Sequence, residues 1–299
     1  MIRPSVEQKI FDINGVKVGG LRGKDPTVLV GTMFYRKQRL VEDEQKGIFD
    51  RDQAEGMIRL QEEMSDATGN PCMLDVEGST VEALEKYIDF AAGATDSPLM
   101  IGGPTPEVRE AGLGIVSEMG LEDRVVYNSL MPGCGSAEIE TIAGAGVRSA
   151  VLLGYVVTDL RPSGRVEALK GLLDEASGHG IDKPLLDTFV MDVPSLGVAF
   201  EAIRVVKEEL GYPTGCGPHN AIGLWKGLRR KMGLASIRPV VAAVNTFAVA
   251  AGADWVLYGP IEAAREVFPS VAMVDAAYAL PRMQQGDRPD RSHPLFRIA

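Results

Sequence analysis

One pattern constrains this chain more than any other: a short apolar strand, a polar tip at its carboxyl end and an amphipathic helix, repeated about eight times. Residues 71–80, PCMLDVEGST, show the unit in full. Cys72, Met73 and Leu74 read as a strand, Asp75 and Glu77 place carboxylates where it ends, and Gly78-Ser79 turn the chain into a helix. Ser79 is the expected N-cap, because its hydroxyl can accept from a free backbone N–H of the first turn. Val81, Leu84, Ile88 and Ala91 then fall on one apolar helical stripe that must face a sheet. Units of this kind, with their strands in parallel, close into an α/β fold, a single (β/α)8 TIM barrel. Its active site is built from side chains at the carboxyl ends of the strands.

The 299 residues suit one such barrel, so residues 1–299 are expected to form a single domain. Hydrophobic residues make up 45% and charged residues 24%, enough apolar mass for a large core. The formal charge of −10 excludes a nucleic-acid-binding surface, which needs clustered Lys and Arg. The triplet Arg229-Arg230-Lys231 is the one basic cluster, and it reads as a solvated helix end. No apolar run of about 20 residues and no signal-peptide core stand out, which predicts a cytoplasmic protein without a membrane span. Cys72, Cys134 and Cys216 are scattered and lack CxxC spacing, as expected of free thiols in a reducing compartment. Cys216 and His219 lack a recognisable third ligand, so no metal site is expected.

Asn14-Gly15, between short apolar runs in residues 8–18, signals a type I′ hairpin placed to close the bottom of the barrel. The first strand is expected at residues 27–32, followed by a charged loop over 36–50 of the length that usually carries function. Strand three, at 99–102, ends in Gly102-Gly103-Pro104 with no acid at its tip. Strand four, at 124–128, ends at Asn128, and strand five spans 149–154. Strand six is expected over 185–191, with Asp187 inside it and Asp192 beyond it. Strand seven, at 213–216, opens into Gly217-Pro218-His219-Asn220 and a long connection with helical stretches at 221–232 and 239–251. Strand eight, at 254–258, precedes a last helix over 261–280 and a polar tail, expected to lie on the surface or to be ordered by a second copy of the chain.

Asp75, Glu77, Asn128, Asp187, Asp192 and Asn220 thus stand at or near the ends of strands two, four, six and seven. A rim of carboxylates and amides suits a flat, neutral heterocycle with several N–H groups and a carbonyl, such as a pterin. A carboxylate accepts from two adjacent N–H donors, and an Asn both donates and accepts. Structural alternatives stand beside each residue. Asp75 could cap a helix, Glu77 could be solvated, Asn128 could satisfy loop backbone, and Asn220 could cap the following helix. Asp187 is the hardest to dismiss, since burying an unpaired carboxylate in an apolar strand costs several kcal/mol. His219 reads as a loop histidine.

VYNS at strand four, LLDTF at strand six and GPHN at strand seven carry a resemblance that runs over nearly the whole chain. It resembles the pterin-binding barrels that exchange a methyl group with a corrinoid protein, above all the H-subunit family of tetrahydromethanopterin S-methyltransferase. Bacterial relatives include the methylcobalamin:tetrahydrofolate methyltransferase of glycine betaine demethylation. The resemblance implies a methyltransferase that moves a methyl group from methylcobalamin, carried by a partner corrinoid protein, to N5 of tetrahydrofolate. It implies Asn128 and Asp187 at the pterin edge, Asp75 as the strand-two acid, and Asn220 near N5 as the catalytic residue. It also implies a homodimer, toward which the apolar Val271, Ala272, Met273 and Val274 point.

Strand three departs from the folate pattern, which has an Asp where this chain has Gly102-Gly103, so Glu77 or Asp192 is left to replace it. The choice between tetrahydrofolate and tetrahydromethanopterin stays open for the same reason. Two other classes remain. A dihydropteroate-synthase-like enzyme would need an Arg-x-His anion site near strand eight, which WVLYGPIE lacks. A non-catalytic barrel that only binds the corrinoid protein is the other. The chain has no DxHxxG motif, so the corrinoid is expected on the partner.

Overall fold

Strands buried on both faces need helices on one side and a filled interior on the other, and the chain supplies both. The structure is a computed structural model and describes residues 4–298. Eight parallel strands close into a barrel in chain order: β1 (Val28–Met33), β2 (Cys72–Glu77), β3 (Leu99–Gly102), β4 (Val125–Leu130), β5 (Ser149–Leu153), β6 (Lys183–Asp187), β7 (Thr214–Cys216) and β8 (Trp255–Pro260), which pairs back to β1. The outer ring includes α1 (Arg51–Thr68), α2 (Val81–Ala94), α3 (Pro106–Met119), α4 (Ser136–Gly144), α5 (Pro162–Gly178), α6 (Val193–Glu209), α7 (His219–Leu224), α8 (Ile237–Ala251) and α9 (Ala264–Met283).

Alternation along the strands sorts their side chains. Val30, Met73, Met100, Val126, Val151, Leu185 and Trp255 meet inside the barrel, while Leu74, Ile101, Tyr127 and Leu152 belong to a core shared with α2 to α5. The antiparallel hairpin Ile10–Ile13 and Val16–Gly19 turns at Asn14 and Gly15, whose φ angles of 45° and 85° are those an Asn-Gly turn provides. Its Ile13 and Val18 are fully buried against the interior layer, so the hairpin closes the barrel at the amino ends of the strands.

Several expected boundaries move. Strand β2 continues through Glu77, which places both carboxylates within the strand. Helix α2 is capped by Thr80, whose hydroxyl accepts from Ala83 N at 3.2 Å, and not by Ser79. Val81 is consequently exposed, and the buried stripe begins at Ala83 and Leu84. Strand β6 stops at Asp187, because Phe189 turns the chain with φ of 60°. The charged loop folds into a small hairpin, Val41–Asp43 with Ile48–Phe49. The connection after β7 holds α7, a π-helical turn at Leu228–Met232 and a 3-10 turn at Leu234–Ser236 before α8. Arg229, Arg230 and Lys231 are exposed, as expected of a solvated end.

The last helix runs on to Met283 and the tail folds back as α10 (Pro294–Arg297), packed on α9 and α1 of the same chain. Val271 and Ala272 are fully buried in the core and Met273 is exposed, so the apolar run expected to form a dimer face is divided between interior and surface. Among the described residues, Leu234–Ala251 is long and apolar enough to cross a membrane by composition, yet Val244, Ala248 and Val249 pack it onto the barrel.

Candidate functional site

A cleft of about 700 Å³ opens at the carboxyl ends of the strands. Asp75, Glu77 and Asn220 line it, together with Thr32, Tyr35, Arg36, Gln45 and His219. Asn128 reaches the cleft through Asp75, to whose Oδ1 its Nδ2 donates at 3.1 Å. Asp187, at the tip of β6, stands at the same end of the barrel. Asp75, Glu77 and Asn220 thus gather at the cleft with Asn128 behind Asp75, whereas Asp187 and Asp192 do not line it. Asp192 is the N-cap of α6, accepting from Ser195 N at 3.0 Å in a capping box, and the structure does not bring it to the cleft.

Asp75 is almost completely buried, and burial pushes its carboxyl above the usual range, opposed by the neighbouring Thr32 hydroxyl and Asn128 amide. Glu77 is raised too, first by burial and then by the charge of Asp75, with Arg109 opposing. Arg109 is fixed by Glu138 at 2.9 Å, the Tyr127 hydroxyl at 3.1 Å and the carbonyl of Gly103 at 3.0 Å. The charge of Asp75 thus adds to burial in holding Glu77 toward its protonated form, so the rim offers an acid that can donate beside oxygens that accept.

Register explains the glycine of strand three. Glu77, Gly102 and Asn128 are partners across β2, β3 and β4. A Cβ added at Gly102 would lie 2.2 Å from Glu77 Oε1. The carboxylate of Glu77 fills the room a side chain at position 102 would take, so the absence of one at Gly102 is the condition for the presence of the other.

Asp187 has a second duty. Its Oδ1 accepts from Phe189 N at 2.6 Å, the Arg165 guanidinium donates to the carbonyls of Thr188 and Phe189, and the Phe189 ring packs on Tyr155 with centroids 4.2 Å apart. These contacts hold a bulky residue in left-handed backbone, a strained state that persists where surroundings enforce it. Burial pushes Asp187 up to about 7, with the Phe189 N–H and Arg165 opposing.

Asn220 lies in the first turn of α7, exposed, with Nδ2 donating to the carbonyl of Val190 at 3.2 Å. One amide hydrogen is thereby engaged, leaving a second hydrogen and Oδ1 for a ligand. The His219 ring donates through Nδ1 to the carbonyl of Leu257 at 2.9 Å, and burial lowers its pKa, so the imidazole is neutral. Gly217 and Gly259 clear the space: a Cβ at Gly217 would sit 3.3 Å from the His219 ring, and one at Gly259, where φ is +92°, would sit 2.6 Å from its Cβ.

His219, expected in a loop, thus opens α7 and forms a wall of the cleft. Tyr35, Arg36 and Gln45 join the site without standing out individually in the sequence, where their one signal is the length and charge of the loop after β1. Among the described residues no group of three or more His, Cys, Asp or Glu side chains is placed to hold a metal ion.

A model of the tetrahydromethanopterin S-methyltransferase MtrH subunit family matches residues 6–288. The chain belongs to this family. The H subunit of tetrahydromethanopterin S-methyltransferase from Methanothermobacter thermautotrophicus is 40% identical over the whole of both chains. The H subunit of a putative mtx methyltransferase from Methanosarcina mazei is 39% identical over 99% of each. Members of the MtrH family are named as methyltransferases, and methyltransferase is the class of this chain. The solved dihydropteroate synthase of Xanthomonas albilineans superposes with a TM-score of 0.62 at 18% identity, covering 90% of this chain and 98% of its own. Its Yersinia pestis counterpart, solved with a pterin-sulfa conjugate, gives 0.60 at 13% identity over 91% and 100%. At such identities the likeness is one of fold, a TIM barrel.

Proposed function

We propose that this chain transfers a methyl group from methylcobalamin, carried by a partner corrinoid protein, to N5 of tetrahydrofolate. The observation that carries the reading is the polar rim at the barrel mouth, where Asp75, Asn128 and the buried acid Glu77 stand together in a chain of the MtrH family. In this reading Asp75, Asn128 and Asp187 hold the N–H and carbonyl edge of the pterin. Glu77, standing in the space over Gly102, supplies the acid that strand three lacks, and Asp192 has no part in it.

The methylated corrinoid supplies an activated methyl donor. The chain's own work is alignment: the rim fixes the ring plane, so that the N5 lone pair points out of the mouth. Asn220, with one N–H on Val190, presents its remaining amide hydrogen and Oδ1 toward N5, directly or through an ordered water. It does so without titrating.

The names of the relatives favour a second acceptor, tetrahydromethanopterin. One assay addresses both. The purified chain is given free methylcobalamin with either pterin, and loss of the methyl-cobalt absorbance is followed together with the methylated product. Transfer to tetrahydrofolate supports the proposal, transfer to tetrahydromethanopterin alone replaces the acceptor, and transfer to neither leaves a barrel that binds the corrinoid protein without catalysing.

A further inference from the structure

A second cavity, of about 770 Å³, lies beside the cleft on the same end of the barrel, between the connection after β7 and the turn after β8. The two cavities share a wall, since His219 lines both. Trp225, Leu228, Val241 and Pro260 give the second one an apolar interior. Its acids are already engaged: Glu266 with Arg238 at 3.0 Å, and Glu262 with the Tyr35 hydroxyl at 3.2 Å and Gln38 at 3.1 Å. Lys226 and Arg229 are different. Both line the cavity, and neither enters an ion pair among the described residues.

An apolar groove of this size with a few polar groups at its edge has the make-up of a ligand-binding site. An aromatic and aliphatic floor with two uncommitted cations at its edge matches an aryl group that ends in carboxylates. The ligand proposed for the cleft has such a group. Reduced folates carry an arylamine tail on C6, the ring atom bonded to N5, and Asn220, placed near N5 in that reading, is the sequence neighbour of the shared wall His219. A tail leaving C6 there starts beside the wall that the groove shares with the cleft.

We propose that this groove is the subsite for the arylamine tail of the pterin, with the aryl ring against Trp225 and Leu228 and the terminal carboxylates at Lys226 and Arg229. The inference rests on the pterin reading above and extends it to the part of the substrate that distinguishes one reduced pterin from another.

Calorimetric titration tests it with 6-methyltetrahydropterin, which has no tail, tetrahydrofolate and tetrahydrofolate triglutamate. The wild type is compared with Trp225→Ala and with the double variant Lys226→Ala/Arg229→Ala. Both charged residues lie at the cavity edge outside the core, so the double variant is expected to fold even if Trp225→Ala does not. The tailed ligands are expected to bind the wild type at least about tenfold more tightly than the tail-less one. The charge variant should weaken them about fivefold, the triglutamate most, and leave 6-methyltetrahydropterin unchanged. Equal binding of tailed and tail-less ligands to the wild type, or equal loss of both in the double variant, overturns the proposal while leaving the pterin reading intact. Failure of the wild type to bind any of the three ligands overturns the pterin reading and this inference with it. A parallel arm with tetrahydromethanopterin, whose arylamine tail ends in other anions, identifies the native tail as the one that the double variant weakens more.

Discussion

Asp187 and Asn220 separate two kinds of contribution that one residue can make to a site. Asp187 braces the loop after β6 through Phe189 N and, in the proposed function, also accepts from the pterin. Asp187→Ala should therefore weaken pterin binding by more than tenfold, about 1.5–3 kcal/mol for a hydrogen bond to a charged partner, as read by calorimetry. Asp187→Asn keeps an oxygen for Phe189 N. Retained affinity in Asp187→Asn with loss in Asp187→Ala would assign the residue to the loop brace alone. Asn220 is expected to behave otherwise, since in the proposed function it stands near N5 and contributes little to holding the ring. Asn220→Ala should lower single-turnover methyl transfer far more than pterin affinity, and most in the demethylating direction, where N5 must become a cationic leaving group. Equal losses of rate and affinity would make it a binding residue only. Both side chains were legible in the sequence, because a carboxylate in an apolar strand and an amide in a glycine-rich loop are locally unusual. The second duty of Asp187 was not, since it depends on the φ of Phe189 and on Arg165, 22 residues earlier.

Elements add what no single residue shows. The pairing of Glu77 with Gly102 is a property of β2 and β3 in register, and a sequence read strand by strand shows only a missing acid. Gly102→Ala should destabilise the wild type, because its methyl meets the Glu77 carboxylate, and should be better tolerated beside Glu77→Ala. Denaturant unfolding of the four variants gives the coupling, expected at about 0.5–3 kcal/mol. Additive effects would place Glu77 elsewhere. Helix boundaries were less legible: the last helix, expected over 261–280, runs Ala264–Met283, the stretch expected at 221–232 stays α-helical only to Leu224, and a margin of one residue decided which hydroxyl caps α2. Thr80→Ala should cost about 1 kcal/mol of stability, with added loss from its 2.6 Å bond to the Gln45 carbonyl, whereas Ser79→Ala should cost little. Asp192 shows the same limit. From sequence it is an acid beyond strand six, and only the end of β6 at Asp187 makes it the cap of α6.

At the scale of the molecule, the barrel was legible because strand and helix periodicities recur regularly, whereas the groove beside His219 was hidden in a long connection whose π-helical turn no periodicity announces. The same scale governs how stability depends on pH. Asp187 is pushed up to about 7 and Glu77 is raised as well, both chiefly by burial, while in the unfolded chain such groups ionise near about 4. Between those values the native state holds protons that the unfolded state has released, so stability falls as pH rises through the native pKa values. His219 and His293 act in the opposite sense. Burial lowers both, His293 to about 4, and their stabilising effect grows as pH rises through about 6.5, where the unfolded imidazole is half protonated, and levels off roughly one unit higher. From about pH 6.5 upward the unfolded forms of His219 and His293 are at most half protonated, and the two raised acids outweigh them. Thermal unfolding should therefore show a Tm that declines from about pH 6.5 to pH 8 without ligand, and the decline should flatten in Asp187→Asn and in Glu77→Gln, which have no proton to lose. A Tm that is constant or rises across that window, or a slope that both variants leave unchanged, would mean that these carboxyls are already ionised in the native barrel, and Glu77 could no longer serve as a protonated donor in the rim.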